Sequence, residues 1–175
     1  MNGKGRNLDL NDKSRKTAWI GMYAAIAVVL SYVEMLLPIT IGIPGAKPGF
    51  ANIIIVFAIY SIGGVSALII NFIRILIIGI LFGNLVSISF SICGALVSLT
   101  VMLTVKRIKG IHSLGVSICG GVSHNLGQIA AASVLVDNYS ILYYLPVLMI
   151  AGILSGIVIG IISGLMIKRL NHMIE

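Results

Sequence analysis

Long apolar runs, separated by short polar or glycine-containing breaks, occupy the chain from about residue 17 onward. A helix needs roughly 20 apolar residues to cross the hydrocarbon core of a bilayer. The second run, at 50–62, is short for a full crossing, but clear breaks bound it on both sides. The pattern therefore predicts an all-α integral membrane protein, a bundle of six transmembrane helices at 17–37, 50–62, 65–82, 85–105, 114–136 and 142–167.

The breaks between the runs contain residues that end helices. Pro38 ends the first run, because proline cannot continue a helix without losing a hydrogen bond. Residues 39–49 hold two prolines and three glycines, and they predict a loop that can fold partly back into the membrane. Gly63-Gly64, Gly83-Asn84 and Asp137-Asn138 are typical of tight turns.

Basic residues at the ends of the runs predict the orientation of the chain. Of twelve Lys and Arg residues, five precede the first run, three lie at 106–109 and two at 168–169. Cytoplasmic segments of membrane proteins are enriched in Lys and Arg. Six crossings place all ten on one side, whereas five crossings would divide them. We therefore expect a multi-pass protein of the plasma membrane with both termini in the cytoplasm.

This topology divides the chain into three parts. Residues 1–16 form a cytoplasmic N-terminal tail with a short surface helix at most. Residues 17–169 form the six-helix transmembrane domain, and residues 170–175 form a short cytoplasmic C-terminal tail.

Composition supports a membrane protein and argues against other classes. The 175 residues are 58% hydrophobic and 10% charged, against about 25% charged residues in soluble domains. The mean hydropathy is +1.10. Membrane orientation accounts for the net charge of +7, so we expect a lipid bilayer around the chain and no nucleic acid as a partner. Cys93 and Cys119 lie in apolar runs without metal-ligand spacing, which indicates buried small residues.

No motif in the chain indicates an enzyme. Residues 42–47 superficially resemble a phosphate-binding loop, but they lack a glycine before the lysine and a Ser or Thr after it. Paired carboxylates and Asp-rich diphosphate-binding motifs are absent from the sequence, and the three histidines are too scattered for a zinc site. We predict no catalytic residues, no metal and no cofactor, so that any ATP hydrolysis belongs to partner subunits.

Several polar residues lie within the apolar runs, where a charge costs from about 2.5 to more than 10 kcal/mol. Glu34 and Arg74 can form an ion pair or contact a substrate, and the sequence favours neither. His124 and Gln128 are four residues apart and share a helix face. Together with Asn125, they make three hydrogen-bonding side chains on one membrane helix, more than helix packing requires, and they favour a polar pocket. Asn52 and Asn71 also fit ordinary hydrogen bonds between helices.

Two sets of small residues predict close helix approach. The first comprises glycines at every fourth position of the sixth run, which let another helix of this chain or of a partner pack closely: Gly152, Gly156, Gly160 and Gly164. The second set of small residues lies on the run at 17–37 and predicts a docking surface for a partner: Gly21, Ala24, Ala25 and Ala27.

Several segments together resemble the Gx transporter family, whose members often carry the label heptaprenyl diphosphate synthase component I. They are PGAKPGFAN at 44–52, RIL at 74–76, FG at 82–83, GVS at 115–117 and SHNLGQ at 123–128. The resemblance covers about residues 17–168. This family is similar to the substrate-binding S components of energy-coupling factor (ECF) transporters.

The resemblance implies six helices, a substrate pocket near the outer face under the loop after the first helix, and import of a small vitamin-like, flavin- or quinone-related or isoprenoid-related molecule. It also implies docking, through the first helix, to a transmembrane coupling subunit and two ATPase subunits. We expect these residues to line the pocket, with Lys47 or Arg74 attracting an acidic substrate: Lys47, Asn52, Arg74, His124, Asn125 and Gln128.

Two other functions remain open at this level. One is a membrane accessory subunit associated with heptaprenyl diphosphate synthase or quinone biosynthesis, which would recruit a lipid substrate rather than move it. The other is a small channel assembled through the glycine stripe, although no repeated ring of pore-lining residues is visible in the sequence.

Overall fold

Six α-helices and one 3₁₀-helix make up the fold. The structure is a computed structural model that describes residues 3–36 and 49–174, and these ranges contain no β-strand. The α-helices are α1 (Gly3–Leu36), α2 (Ala51–Ser61), α3 (Gly64–Phe82), α4 (Leu85–Val105), α5 (Ser113–Leu135) and α6 (Leu145–Ile174), and the 3₁₀-helix is Tyr139–Tyr144.

The chain is a helical membrane protein, as its apolar runs predicted. Within the described residues, four segments are long and apolar enough to cross a bilayer: Lys13–Leu36, Gly64–Phe82, Leu85–Val105 and Tyr139–Leu170. The six-helix count agrees with the prediction. The ends of α1, α2, α3, α4 and α5 within the bundle lie within one residue of the predicted ones. In contrast, α6 begins three residues after the predicted start at 142 and continues to Ile174, into the expected C-terminal tail. At the N-terminus α1 instead begins at Gly3, so the expected tail continues the first helix.

Local chemistry explains the sharp turns. The side chain of Asn84 caps α4 by accepting a hydrogen bond from Ser87 N at 2.7 Å, which satisfies one of the free N–H groups of the first turn. Gly63 joins α2 to α3 with φ of +94°, a conformation that glycine adopts without steric cost. Because these connections are only two residues long, the joined helices run antiparallel.

The helices form a ring in which each element packs against its neighbours. Around the ring the order is α1, α3, α4, α5, α6 and α2, and α2 also contacts α3 and α5. Residues 53–59 of α2 are all buried, and α2 has apolar residues on every side. The outward faces of the longer helices expose large apolar side chains such as Val65 and Leu165, which suits contact with lipid. Cys93 is also exposed and Cys119 is half-buried, so the expectation that both are buried is wrong.

Glycines bring α5 and α6 to backbone contact. A Cβ added at Gly156 would lie 2.7 Å from Ile118 Cα, and one added at Gly160 would lie 2.8 Å from Leu114 Cα. At Gly152 the nearest atom would be Gly121 O at 2.9 Å. The sequence left open whether the stripe faces this chain or a partner. Three of its four glycines approach the α5 backbone, and a Cβ added at Gly164 would lie 2.8 Å from Ser113 Oγ.

The exposed basic residues collect at one end of the bundle. These include Lys13 and Lys16 in the first half of α1, Arg107 after α4 and Arg169 toward the end of α6. Lys106 instead turns inward, and its Nζ donates to Ile59 O at 2.7 Å and lies 4.3 Å from the Tyr60 ring centroid. Burial lowers the pKa of this ammonium group. A cation at the C-terminal end of α2 complements the helix dipole.

Candidate functional site

A cavity of about 400 Å³ lies inside the bundle, toward the end opposite the basic residues. Its walls come from all six α-helices and from Ile141 of the 3₁₀-helix. Small-molecule sites typically measure about 300–1,000 Å³. The cavity therefore has the size of a site for a small solute.

Five of the six residues expected in a pocket line this one cavity. They come from α2, α3 and α5, which are far apart in sequence: Asn52, Arg74, His124, Asn125 and Gln128. Lys47, the sixth, lies outside the described residues. The structure thus brings the predicted polar set together, and its role in binding stays a prediction.

The short length of α2 accounts for the position of the cavity. At 1.5 Å per residue, its 11 residues extend about 17 Å, roughly half of the hydrocarbon thickness. Gly49 and Asn52, at the start of α2, line the cavity, while Ile59 near its other end accepts from Lys106. The first turn of α2 therefore forms the floor of the cavity, and the longer helices form its walls.

Arg74 is held in the wall by two neighbours. Asn71 Oδ1 accepts hydrogen bonds from Arg74 Nη2 at 2.8 Å and from Nε at 3.1 Å. Ser31 Oγ on α1 accepts from Nη1 at 3.4 Å. Asn71 is buried, so it fixes the guanidinium orientation from behind. A guanidinium held in one orientation inside a membrane protein can bind an anionic group strongly.

Glu34 joins α1 to the start of α2. Its Oε1 accepts from Gly49 N at 2.7 Å, and its Oε2 accepts from Phe50 N at 3.1 Å. A carboxylate at a helix N-terminus satisfies free N–H groups and complements the helix dipole. No hydrogen bond joins Glu34 to Arg74, its suggested ion-pair partner, and each side chain bonds to other groups.

Replacing Glu34 with glutamine should destabilise the protein by about 1–3 kcal/mol, the range for a lost hydrogen bond to a charged group. The neutral amide keeps one acceptor oxygen but turns an N–H donor toward the second backbone N–H. Thermal unfolding in detergent measures the loss. Asp137→Asn is the matched control, because Asp137 is exposed and has φ of +50°, which asparagine tolerates. Equal melting temperatures for the two variants would contradict the capping role.

The polar residues of α5 divide between structure and cavity. Asn125 Nδ2 donates to Leu148 O at 2.6 Å and so ties α5 to the first turn of α6. The amides of Asn52 and Gln128 make no hydrogen bond to any described residue. His124 and Gln128 pack closely on Gly94 of α4, where an added Cβ would meet Gln128 Cγ at 2.6 Å. Gly94 thus lets α5 hold these two side chains against α4 at the cavity.

Sequence reasoning missed the apolar part of the lining. Phe82, Phe90, Ile141 and Leu148 line the cavity, but apolar residues in membrane helices give no sign of which face they occupy. Ser31 was also missed, although a hydroxyl within the first run was a visible signal. It lies one helical turn before Glu34, which places both on the same face.

The four small residues expected to dock a partner divide between two faces of α1. Ala24 and Ala27 are buried against the rest of the bundle, so in this structure they are not available to a partner. Gly21 and Ala25 are exposed, and a Cβ added at Gly21 meets no atom within 4 Å. Packing within the chain therefore does not require glycine at position 21.

The fold and the cavity define a class: a small helical membrane protein with a polar cavity built from several helices. The family model described as heptaprenyl diphosphate synthase component I matches residues 23–166, and the chain belongs to this family. No curated protein and no solved structure gives a significant match to it.

Proposed function

We propose that the chain is the substrate-binding S component of an energy-coupling factor importer, located in the plasma membrane with both termini in the cytoplasm. Its substrate is a small vitamin-like, flavin- or quinone-related or isoprenoid-related molecule. The observation that carries this proposal is the convergence of polar side chains from α2, α3 and α5 on one cavity. Helix packing alone does not require this many polar side chains inside a membrane protein.

The distribution of charge supports uptake rather than export. The exposed basic residues lie at the end of the bundle away from the cavity. With that end in the cytoplasm, the cavity lies toward the outer face, where a substrate from outside would enter. In this topology α2 and α5 also cross the membrane, α2 as a short helix enclosed by longer ones.

The exposed small residues of α1 support docking to a transmembrane coupling subunit, which would join the chain to two ATPase subunits. Gly21 and Ala25 are four residues apart on the side of α1 that faces away from the bundle. Small residues at this spacing let a second helix approach closely. The sequence has no phosphate-binding loop, so energy for uphill transport would come from those partners.

Affinity purification of the tagged chain from its native membrane in mild detergent tests the proposal. We expect a coupling subunit and two ATPases to co-purify. Ala25→Leu should reduce their recovery at least tenfold, because the larger side chain separates the helices. Ala130→Leu, an equally exposed alanine on α5, should not. Absence of ATPases from the wild-type complex would refute the assignment.

A second candidate is a membrane accessory subunit associated with heptaprenyl diphosphate synthase. The description of the matching family favours it. In the same purification, a soluble prenyltransferase in place of ATPases would support this alternative.

A further inference from the structure

The guanidinium group of Arg74 keeps hydrogen-bonding capacity for a ligand. It has five N–H donors, of which Asn71 Oδ1 accepts two and Ser31 Oγ accepts one. One N–H on each terminal nitrogen has no partner among the described residues. A pair of N–H groups of this kind binds the two oxygens of a carboxylate or phosphate.

No carboxylate of the described lining hydrogen-bonds to Arg74, although the charge of Glu34 lies near enough to attract it. Glu34 is the only acidic residue in that lining, and both its oxygens accept from the backbone at the start of α2. The remaining polar groups, including the Asn52 and Gln128 amides, are uncharged and can donate hydrogen bonds. The hydrogen-bond donors left unused in this lining therefore suit an anionic group better than a cationic one.

The lining changes from polar to apolar along the cavity. Arg74 lies eight residues before Phe82 on α3, a distance of about 12 Å along the helix. Other apolar residues of the lining also lie near helix ends, namely Met35, Ile141 and Leu148, while Glu34 and Ser87 are polar residues of the same region. Arg74 thus lies deeper in the cavity, and the rim, formed by residues near the helix ends, is mostly apolar.

We propose that the cavity binds an amphiphilic anion, whose carboxylate or phosphate head contacts Arg74 and whose apolar body lies against the rim. This inference rests on the proposed function in taking the cavity as the substrate site, and it adds the chemical class of the ligand. Asn71 acts as a positioning residue, since it holds Arg74 in the orientation that leaves the two N–H groups free.

Binding of four probes to the protein in lipid nanodiscs tests this class: octyl phosphate, octanoate, octanol and inorganic phosphate. We expect octyl phosphate or octanoate to bind at least tenfold more tightly than both octanol and inorganic phosphate. Arg74→Gln should reduce the preference for the anion over octanol to about twofold or less. Arg74→Lys should keep part of that preference, because it retains the charge but loses the paired N–H groups.

Arg169→Gln is the matched control for partition of the probes into lipid. It makes the same substitution at an exposed position at the other end of the bundle, so it should bind all four probes as the wild type does. Equal binding of octanol and the two anions by the wild type would overturn the proposal. An unchanged preference in Arg74→Gln would also overturn it, as would equal binding of inorganic phosphate and octyl phosphate.

The outcomes separate this inference from the proposed function. If ATPases co-purify and the probes show no preference for an amphiphilic anion, the ligand class is wrong and the transport role stands. If an amphiphilic anion binds through Arg74 and no ATPase co-purifies, the ligand class stands and the importer role is wrong.

Discussion

Replacing Gly156 with alanine should destabilise the protein by about 1–3 kcal/mol, the usual cost of an overpacked interior. The added Cβ would lie 2.7 Å from Ile118 Cα and 3.0 Å from Ser117 O. Both are backbone atoms, so no side-chain rotation can relieve the contact, and α5 must move away from α6. Thermal unfolding in detergent, followed by circular dichroism, should show a melting temperature several degrees below that of the wild type.

Gly21→Ala makes the same chemical change where nothing lies within 4 Å of the added carbon. Alanine is favoured over glycine in a helix by up to about 1 kcal/mol, so this variant should be as stable as the wild type or more so. If Gly156→Ala unfolded at the same temperature as Gly21→Ala, the close packing of α5 on α6 would be wrong.

Replacing His124 with alanine should remove most ligand from the cavity. The imidazole lines the cavity beside Gln128, and losing a buried hydrogen-bond partner costs about 1–3 kcal/mol, which corresponds to a decrease in affinity of roughly 5- to 150-fold. Native mass spectrometry of the purified protein measures the fraction that carries a bound small molecule. The wild type should carry such a molecule, and His124→Ala should have lost it.

His112→Ala is the matched control, because His112 is exposed before α5 and makes no side-chain capping bond there. This variant should retain the ligand as the wild type does. Undiminished occupancy in His124→Ala would exclude His124 from the binding site.

The helix boundaries between α1 and α5 could be predicted because the residues that set them act locally. Gly63 and Asn84 end one helix and begin the next through their own conformation or hydrogen bonds. The polar members of the site were also predictable, since Arg74 or His124 within an apolar run requires a polar neighbourhood wherever the helices pack.

Features that depend on helix rotation could not be predicted. Ala24 and Ala25 are adjacent and chemically identical, yet Ala24 faces the bundle interior and Ala25 faces outward. The sequence showed that Glu34 needed a partner, but the partners are backbone N–H groups fifteen and sixteen residues later. Such pairs form only when the whole bundle is assembled.

The shortness of α2 has a consequence for biogenesis. Its 11 residues are too few to partition into lipid as an independent transmembrane segment, and its polar ends are satisfied by Glu34 and Lys106, which belong to α1 and to the end of α4. We therefore expect α2 to reach its final depth only after α4 has entered the bilayer. On this expectation the floor of the cavity forms late, as the bundle closes around α2.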